Sequence, residues 1–207
     1  MEANAMKYGL TLMMLLLVAG GALHAQEPLP AGVNTAVEAM GGNSALQLRY
    51  LAPSPWAVAG ARSDLDYGFL FSQDRDIIGT AALMFHTDLN LIPGLTIDIG
   101  PQGYLAALNA LNKTDVFAVA FGADARYPLP FLSRWGIAAF GSAFYSPGVL
   151  TFGNAQNVYD FTAGGEVRFT SRLAGRAGYR WLKFTLVNEP DDRVQNELFV
   201  GLRWQLQ

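Results

Sequence analysis

The sequence predicts an all-β chain: a transmembrane antiparallel β-barrel of about ten strands, alternatively eight, preceded by a cleaved signal peptide. Three observations predict it. The first is an apolar leader ahead of small residues. The second is period-two alternation that recurs every ten to twenty residues, the spacing of strands closed or stacked into one sheet. The third is composition: of 207 residues 51% are hydrophobic and 15% charged, with 22 glycines and no cysteine. A soluble domain carries about 25% charged residues, so the chain has too few charges for an ordinary water-facing surface. The absence of cysteine excludes a disulfide framework, a thiolate metal site and a cysteine nucleophile. The net charge of -3 excludes the basic face that nucleic acid requires.

The leader comes first. Lys7 precedes the apolar run Leu10–Val18, and the small residues Ala19, Gly20, Gly21 and Ala22 lead to Ala25, the expected cleavage point. Residues 1–25 are thus a signal peptide, and 26–207 form the exported barrel. The run is shorter than the roughly 18 to 20 residues a helix needs to span a bilayer, and later apolar runs are cut by glycine. An exported chain of this kind is either soluble or a membrane barrel.

The strands follow in order. Val33–Met40 and Ser44–Leu51 form a hairpin turned by Gly41-Gly42-Asn43, and without this hairpin the count falls to eight. Leu65–Ser72 and Ile77–Thr87 come next, then Leu95–Gly100 with Leu95, Ile97 and Ile99 on one parity. Phe117–Tyr127 alternates Phe117, Val119, Phe121 and Tyr127 with Ala118, Ala120, Gly122, Asp124 and Arg126. Trp135–Tyr145, Tyr159–Phe169, Ala174–Phe184 and Leu198–Leu206 complete the set.

The second parity decides the class. In a soluble barrel it would be a hydrated exterior rich in lysine and glutamate. Here it is glycine, alanine, threonine and a few charges of both signs, and beyond the leader the only lysines are Lys113 and Lys183. Such a face suits the interior of a small membrane barrel, with the aromatic and aliphatic parity toward lipid. Tyr127, Trp135, Tyr145, Tyr159, Trp181 and Trp204 are the candidate interfacial aromatics, most of them near strand ends. Short connections at 88–94, 128–134 and 170–172 alternate with longer polar ones at 106–115, 146–157 and 186–196, which predicts short periplasmic turns and longer external loops.

The interior charges are Asp98, Asp124, Arg126, Asp160, Glu166, Arg168, Arg176, Arg180 and Arg203. A charge inside a narrow barrel must be paired or hydrated. If Thr170-Ser171-Arg172 is a tight turn, Val167 lies opposite Gly175, Glu166 opposite Arg176 and Thr162 opposite Arg180, leaving Arg180 to seek Asp124 or Asp98. Barrels of about eight strands are filled by side chains and open channels need about sixteen, so the expectation is a filled, salt-bridged interior.

His86 is the only histidine after the leader, and with Asp88 and a serine it could be drawn as a triad, but proximity in sequence does not make one. One histidine and no thiolate give no metal site, and no glycine pair opens a phosphate loop. No cofactor and no catalytic residue is expected.

The order of leader, glycine-rich strands, Tyr145-Ser146-Pro147 with Leu150-Thr151-Phe152, Gly178-Tyr179-Arg180-Trp181 and the closing Phe199-Val200-Gly201-Leu202 resembles the YfaZ family of Gram-negative outer-membrane proteins over Ser44–Leu206. The resemblance implies location and fold without a defined activity. The expected function is that of a small outer-membrane β-barrel with a structural or envelope-related role and no catalytic site. The alternatives are a narrow channel or porin-like solute pathway, a lipid-modifying barrel enzyme using His86, and a soluble periplasmic β-barrel binding an apolar ligand. The expected partners are outer-membrane lipids and, during biogenesis, the barrel assembly machinery.

Overall fold

The computed structural model describes residues 35–54, 62–87, 92–109, 114–187 and 192–206. The predicted signal peptide lies outside the described residues, as does Asp88. Eleven strands follow one another: β1 Ala36–Gly41, β2 Ala45–Pro53, β3 Ser63–Ser72, β4 Ile77–Thr87, β5 Thr96–Leu108, β6 Thr114–Pro128, β7 Ile137–Ser146, β8 Thr151–Gly153, β9 Ala155–Arg168, β10 Leu173–Leu186 and β11 Asp192–Gln205. Each pairs antiparallel with its neighbours, β7 pairs with β9 past the short β8, and β1 pairs with β11. The sheet therefore closes with ten strands in its wall, and no long edge remains to template aggregation.

The hairpin of β1 and β2 decides ten over eight. Ala36 lies opposite both Leu51 and Gln205, so β1 is the strand that joins the two halves of the wall. The eleventh strand, β8, falls within the segment expected to be loop. It sets Phe152 against Phe117 of β6, with ring centroids 5.7 Å apart, along the part of β6 that extends beyond the end of β7.

One end of the barrel is the terminal end, where β1 begins and β11 finishes. The other is the hairpin end. The expected contrast in loop length is corrected by the structure: β5 runs on to Leu108, β9 begins at Ala155, β10 reaches Leu186 and β11 starts at Asp192. The hairpin-end connections are consequently no longer than those at the terminal end. The physical reason is an inversion of amphipathicity. Near the hairpin end Leu182, Phe184 and Leu186 point inward and are buried, while Lys183 and Thr185 alternate with them. The apolar interior carries β10 on to Leu186, past the end expected at Phe184.

Along the rest of the wall the apolar parity faces outward. Leu48, Phe69, Leu105, Phe121, Leu198 and Trp204 are all exposed despite their size. Tyr145, Tyr159 and Trp181 stand side by side on β7, β9 and β10, at centroid separations of 5.0 and 5.9 Å, and Phe161 stacks on Trp181 at 5.4 Å. Tyr127 and Trp204 lie near the terminal ends of β6 and β11. Trp135 closes the 3₁₀ segment Pro130–Trp135, with the Arg134 guanidinium 5.3 Å over its ring.

Inward glycines do more than leave room for charges. A Cβ at Gly122 would meet the Ala143 carbonyl and the Phe144 ring, and one at Gly178 would meet the Ala163 carbonyl and the Phe199 ring. The inward phenylalanine of the neighbouring strand lies over each glycine, which lets the sheet bend tightly there without a void.

Candidate functional site

The inward parity produces two layers. At the hairpin end, Leu70, Ile78, Leu108, Val158, Leu182 and Phe184 belong to one buried cluster that fills the lumen. Fully burying a side chain of this kind stabilises by about 1.5–3 kcal/mol. Toward the terminal end the lumen is a cavity of about 850 Å³ lined by charged and polar side chains. The expected filled interior is thus corrected: side chains fill half of it. Ten strands enclose more volume than the glycines, alanines and threonines of the terminal half can occupy.

The floor of the cavity is a polar layer on top of the apolar fill. The Arg180 guanidinium holds Asp160 with two parallel bonds, Nε to Oδ1 at 3.0 Å and Nη2 to Oδ2 at 2.7 Å. Its Nη1 donates to the Gln47 carbonyl oxygen, and the Tyr104 hydroxyl donates to Asp160 Oδ2 at 3.0 Å from the far wall. Thr162 does lie opposite Arg180, but the carboxylate partner is Asp160 on the adjacent strand, in place of Asp124 or Asp98. Asp160 lies two residues along β9 from Thr162 on the same inward face, a diagonal reach that a long side chain covers.

Above the floor, Glu38 is a hub. It is wholly buried, with Arg176 Nη1 at 2.6 Å, Arg203 Nη1 at 3.4 Å and Arg49 Nη1 at 3.5 Å. Register explains two of the three: Glu38 lies directly opposite Arg203 on β11 and Arg49 on β2. Arg49 also forks onto Asp66 of β3. Glu166 lies opposite Arg176 as expected, yet its closest cation is Arg126, two strands away, at 2.8 Å, with Arg176 Nε at 3.7 Å. The Arg176 guanidinium also sits 3.8 Å from the centroid of the Phe140 ring, a cation–π contact.

Glu38, Arg49 and Asp66 join the expected interior charges, and alternation marks the inward parity of the first two. Glu38 shares the parity of Ala36 and Met40, and Arg49 that of Ala45 and Gln47, opposite the exposed Leu46, Leu48 and Tyr50. Alternation in these short strands carried the information that the larger strands made obvious.

The remaining charges line the opposite wall and the mouth. His86 Nδ1 is 2.7 Å from Asp98 Oδ1, its cross-strand neighbour on β5. The histidine's carboxylate partner is therefore Asp98, and the pair lies within the cavity. Asp124 on β6 lies directly opposite Asp98, two like charges in register. Arg168 lies one inward position beyond Glu166 on β9, toward the mouth. Among the described residues no group of three or more histidine and carboxylate side chains is arranged to hold a metal ion.

A solved chain described as a bacterial polysaccharide outer membrane secretin is similar at 13% identity with a TM-score of 0.46; the similarity covers 81% of this chain and 58% of the other. The chain thus spans less than two thirds of that protein. A search of curated proteins finds no match. Residues 57–206 match the profile of the family described as YfaZ precursor. The matched segment begins ahead of β3 and runs through the closing strand β11, so most of the barrel wall, including the basic and acidic sides of its cavity, is what the match covers; this chain belongs to the YfaZ family.

Proposed function

We propose that this chain resides in the outer membrane of a Gram-negative bacterium as a non-conducting, non-catalytic barrel with a structural or envelope-related role. The observation that carries the reading is the pairing of an apolar exterior along most of the wall with a lumen filled by apolar side chains at the hairpin end. The exterior favours lipid as its surroundings. The filled end opposes a solute path, because the cavity ends on the Arg180–Asp160 floor with Tyr104 and Phe184 buried beyond it. A charged lumen also disfavours the alternative of a soluble barrel holding an apolar ligand. An even number of wall strands brings both chain ends to one side, which for an exported chain is the periplasm, so the cavity opens there. Outer-membrane lipids and the assembly machinery are the partners this reading requires.

Envelope fractionation and planar-bilayer recording test it together. The expected result is retention with the outer membrane through mild washing and no stepwise current from the purified barrel. Recovery in the soluble periplasmic fraction, or unitary conductance abolished by closing the terminal end, would overturn it.

A further inference from the structure

We infer that the cavity is a binding site for a small zwitterion, a solute with a cationic amine at one end and an anionic carboxylate or phosphate at the other. The inference deepens the reading of a closed cup given above.

It starts from strand order. In a closed wall of ten, β9, β10 and β11 stand diametrically across from β3, β4 and β5. Several of the charges lining the mouth divide along the same line, with Arg62 ahead of β3 and Arg126 on β6 standing outside the division. Arg168 on β9, Arg172 in the β9–β10 turn and Arg203 on β11 lie on one side. Asp64 on β3 and Asp98 on β5, with His86 of β4 bonded to Asp98, lie on the other. Among the described residues Arg168 and Arg172 make no ion pair, while Arg49, Arg126, Arg176, Arg180 and Arg203 are each held by a carboxylate. The basic wall therefore keeps unspent positive charge at the mouth. On the acidic wall Asp64 likewise has no ion pair among the described residues, although Arg62 just ahead of β3 is engaged in contacts of its own.

Opposite charges on facing walls, set in a sheet of low dielectric, create a field across the lumen rather than along it. A simple anion entering meets Arg168 and Arg172 but also the facing carboxylates, and a simple cation meets the reverse. A dipolar solute lying across the mouth satisfies both walls at once. At about 850 Å³ the cavity falls in the range of small-molecule sites. The Arg180–Asp160 floor closes the site below, so a solute enters and leaves by the mouth.

The test uses the full barrel in lipid nanodiscs and three probes built on one six-carbon chain: 6-aminohexanoate, its N-acetyl derivative that keeps only the anion, and 6-aminohexanamide that keeps only the cation. Binding is measured by equilibrium dialysis. The expected result is that 6-aminohexanoate binds at least about tenfold more tightly than either single-charge probe, the ratio that one ion pair at a partly desolvated site supplies. Arg168→Gln should lower its affinity to that of 6-aminohexanamide, and Asp64→Asn to that of the N-acetyl compound. Neither side chain belongs to the Glu38 or Asp160 networks, and heat-modifiable migration on gels verifies that each variant folds. Equal binding of all three probes, a match between one single-charge probe and the zwitterion, or no binding of the zwitterion overturns the inference. Conductance through the barrel would instead refute the closed lumen, so the two readings fail separately.

Discussion

Replacing Asp160 by Asn removes the negative charge from the cavity floor while keeping the side chain's size. Arg180 and Asp160 are 5% and 4% exposed, so neither charge is rescued by bulk water. In the parent, the guanidinium has both Asp160 oxygens and the Gln47 carbonyl oxygen as acceptors. In the variant one of those oxygens becomes an amide that points donors at donors, and Arg180 stays charged. Removing one partner of a buried ion pair costs about 3–5 kcal/mol, which is the loss expected here. Tyr104→Phe deletes one bond to the same carboxylate but leaves its charge paired, so its expected cost is smaller, about 1.5–3 kcal/mol for a bond to a charged group. Asp160→Leu combined with Arg180→Met removes both charges and should recover most of the Asp160→Asn loss, since apolar replacement of a buried pair is often neutral. Urea titration of the barrel folded into phospholipid vesicles, followed by tryptophan fluorescence, measures all three. A loss below about 1 kcal/mol for Asp160→Asn would put the pair in the range of exposed ion pairs and refute the reading of Arg180 and Asp160 as a buried pair.

Three further outcomes are expected. Phe121→Arg places a cation on the outward face and should cost about 2–4 kcal/mol near mid-membrane, and Ala120→Arg should block assembly too, because the neighbouring inward position is wholly buried in the apolar cluster; gel migration of unheated samples scores both. The charge swap Glu166→Arg with Arg176→Glu should fold no better than Glu166→Arg alone, since it brings like charges to both Arg126 and Glu38; rescue by the swap in the same gel assay would mean that Glu166 and Arg176 form an isolated pair. His86→Gln should leave assembly and stability within about 1 kcal/mol of the parent, as its pair with Asp98 is partly hydrated at the cavity wall; loss of an acyl-transfer or deacylation activity with the barrel intact would instead establish an enzyme.

Period-two alternation with a wide, aromatic outward parity was enough to predict a closed barrel of about ten strands, with eight as the alternative, and a tight turn at Thr170-Ser171-Arg172 predicted the pairing of Val167 with Gly175 and Glu166 with Arg176. Those are local matters: a strand shows its two faces in its own residues, and a tight turn sets the register of the strands it joins. The tertiary structure alone decided which charges meet. Arg126 reaches Glu166 across β7, Arg176 reaches Glu38 across β11, and Tyr104 reaches Asp160 across the lumen. Such partners depend on strand tilt and on where the wall closes, neither of which is written in any single strand. It also decided where β10 ends, because that strand reverses its amphipathic sense at the hairpin end, with Phe184 inward and Lys183 between inward apolar neighbours. Alternation has the same period whichever face is apolar; only a closed wall, with a filled lumen at one end and a charged cavity at the other, assigns the inside.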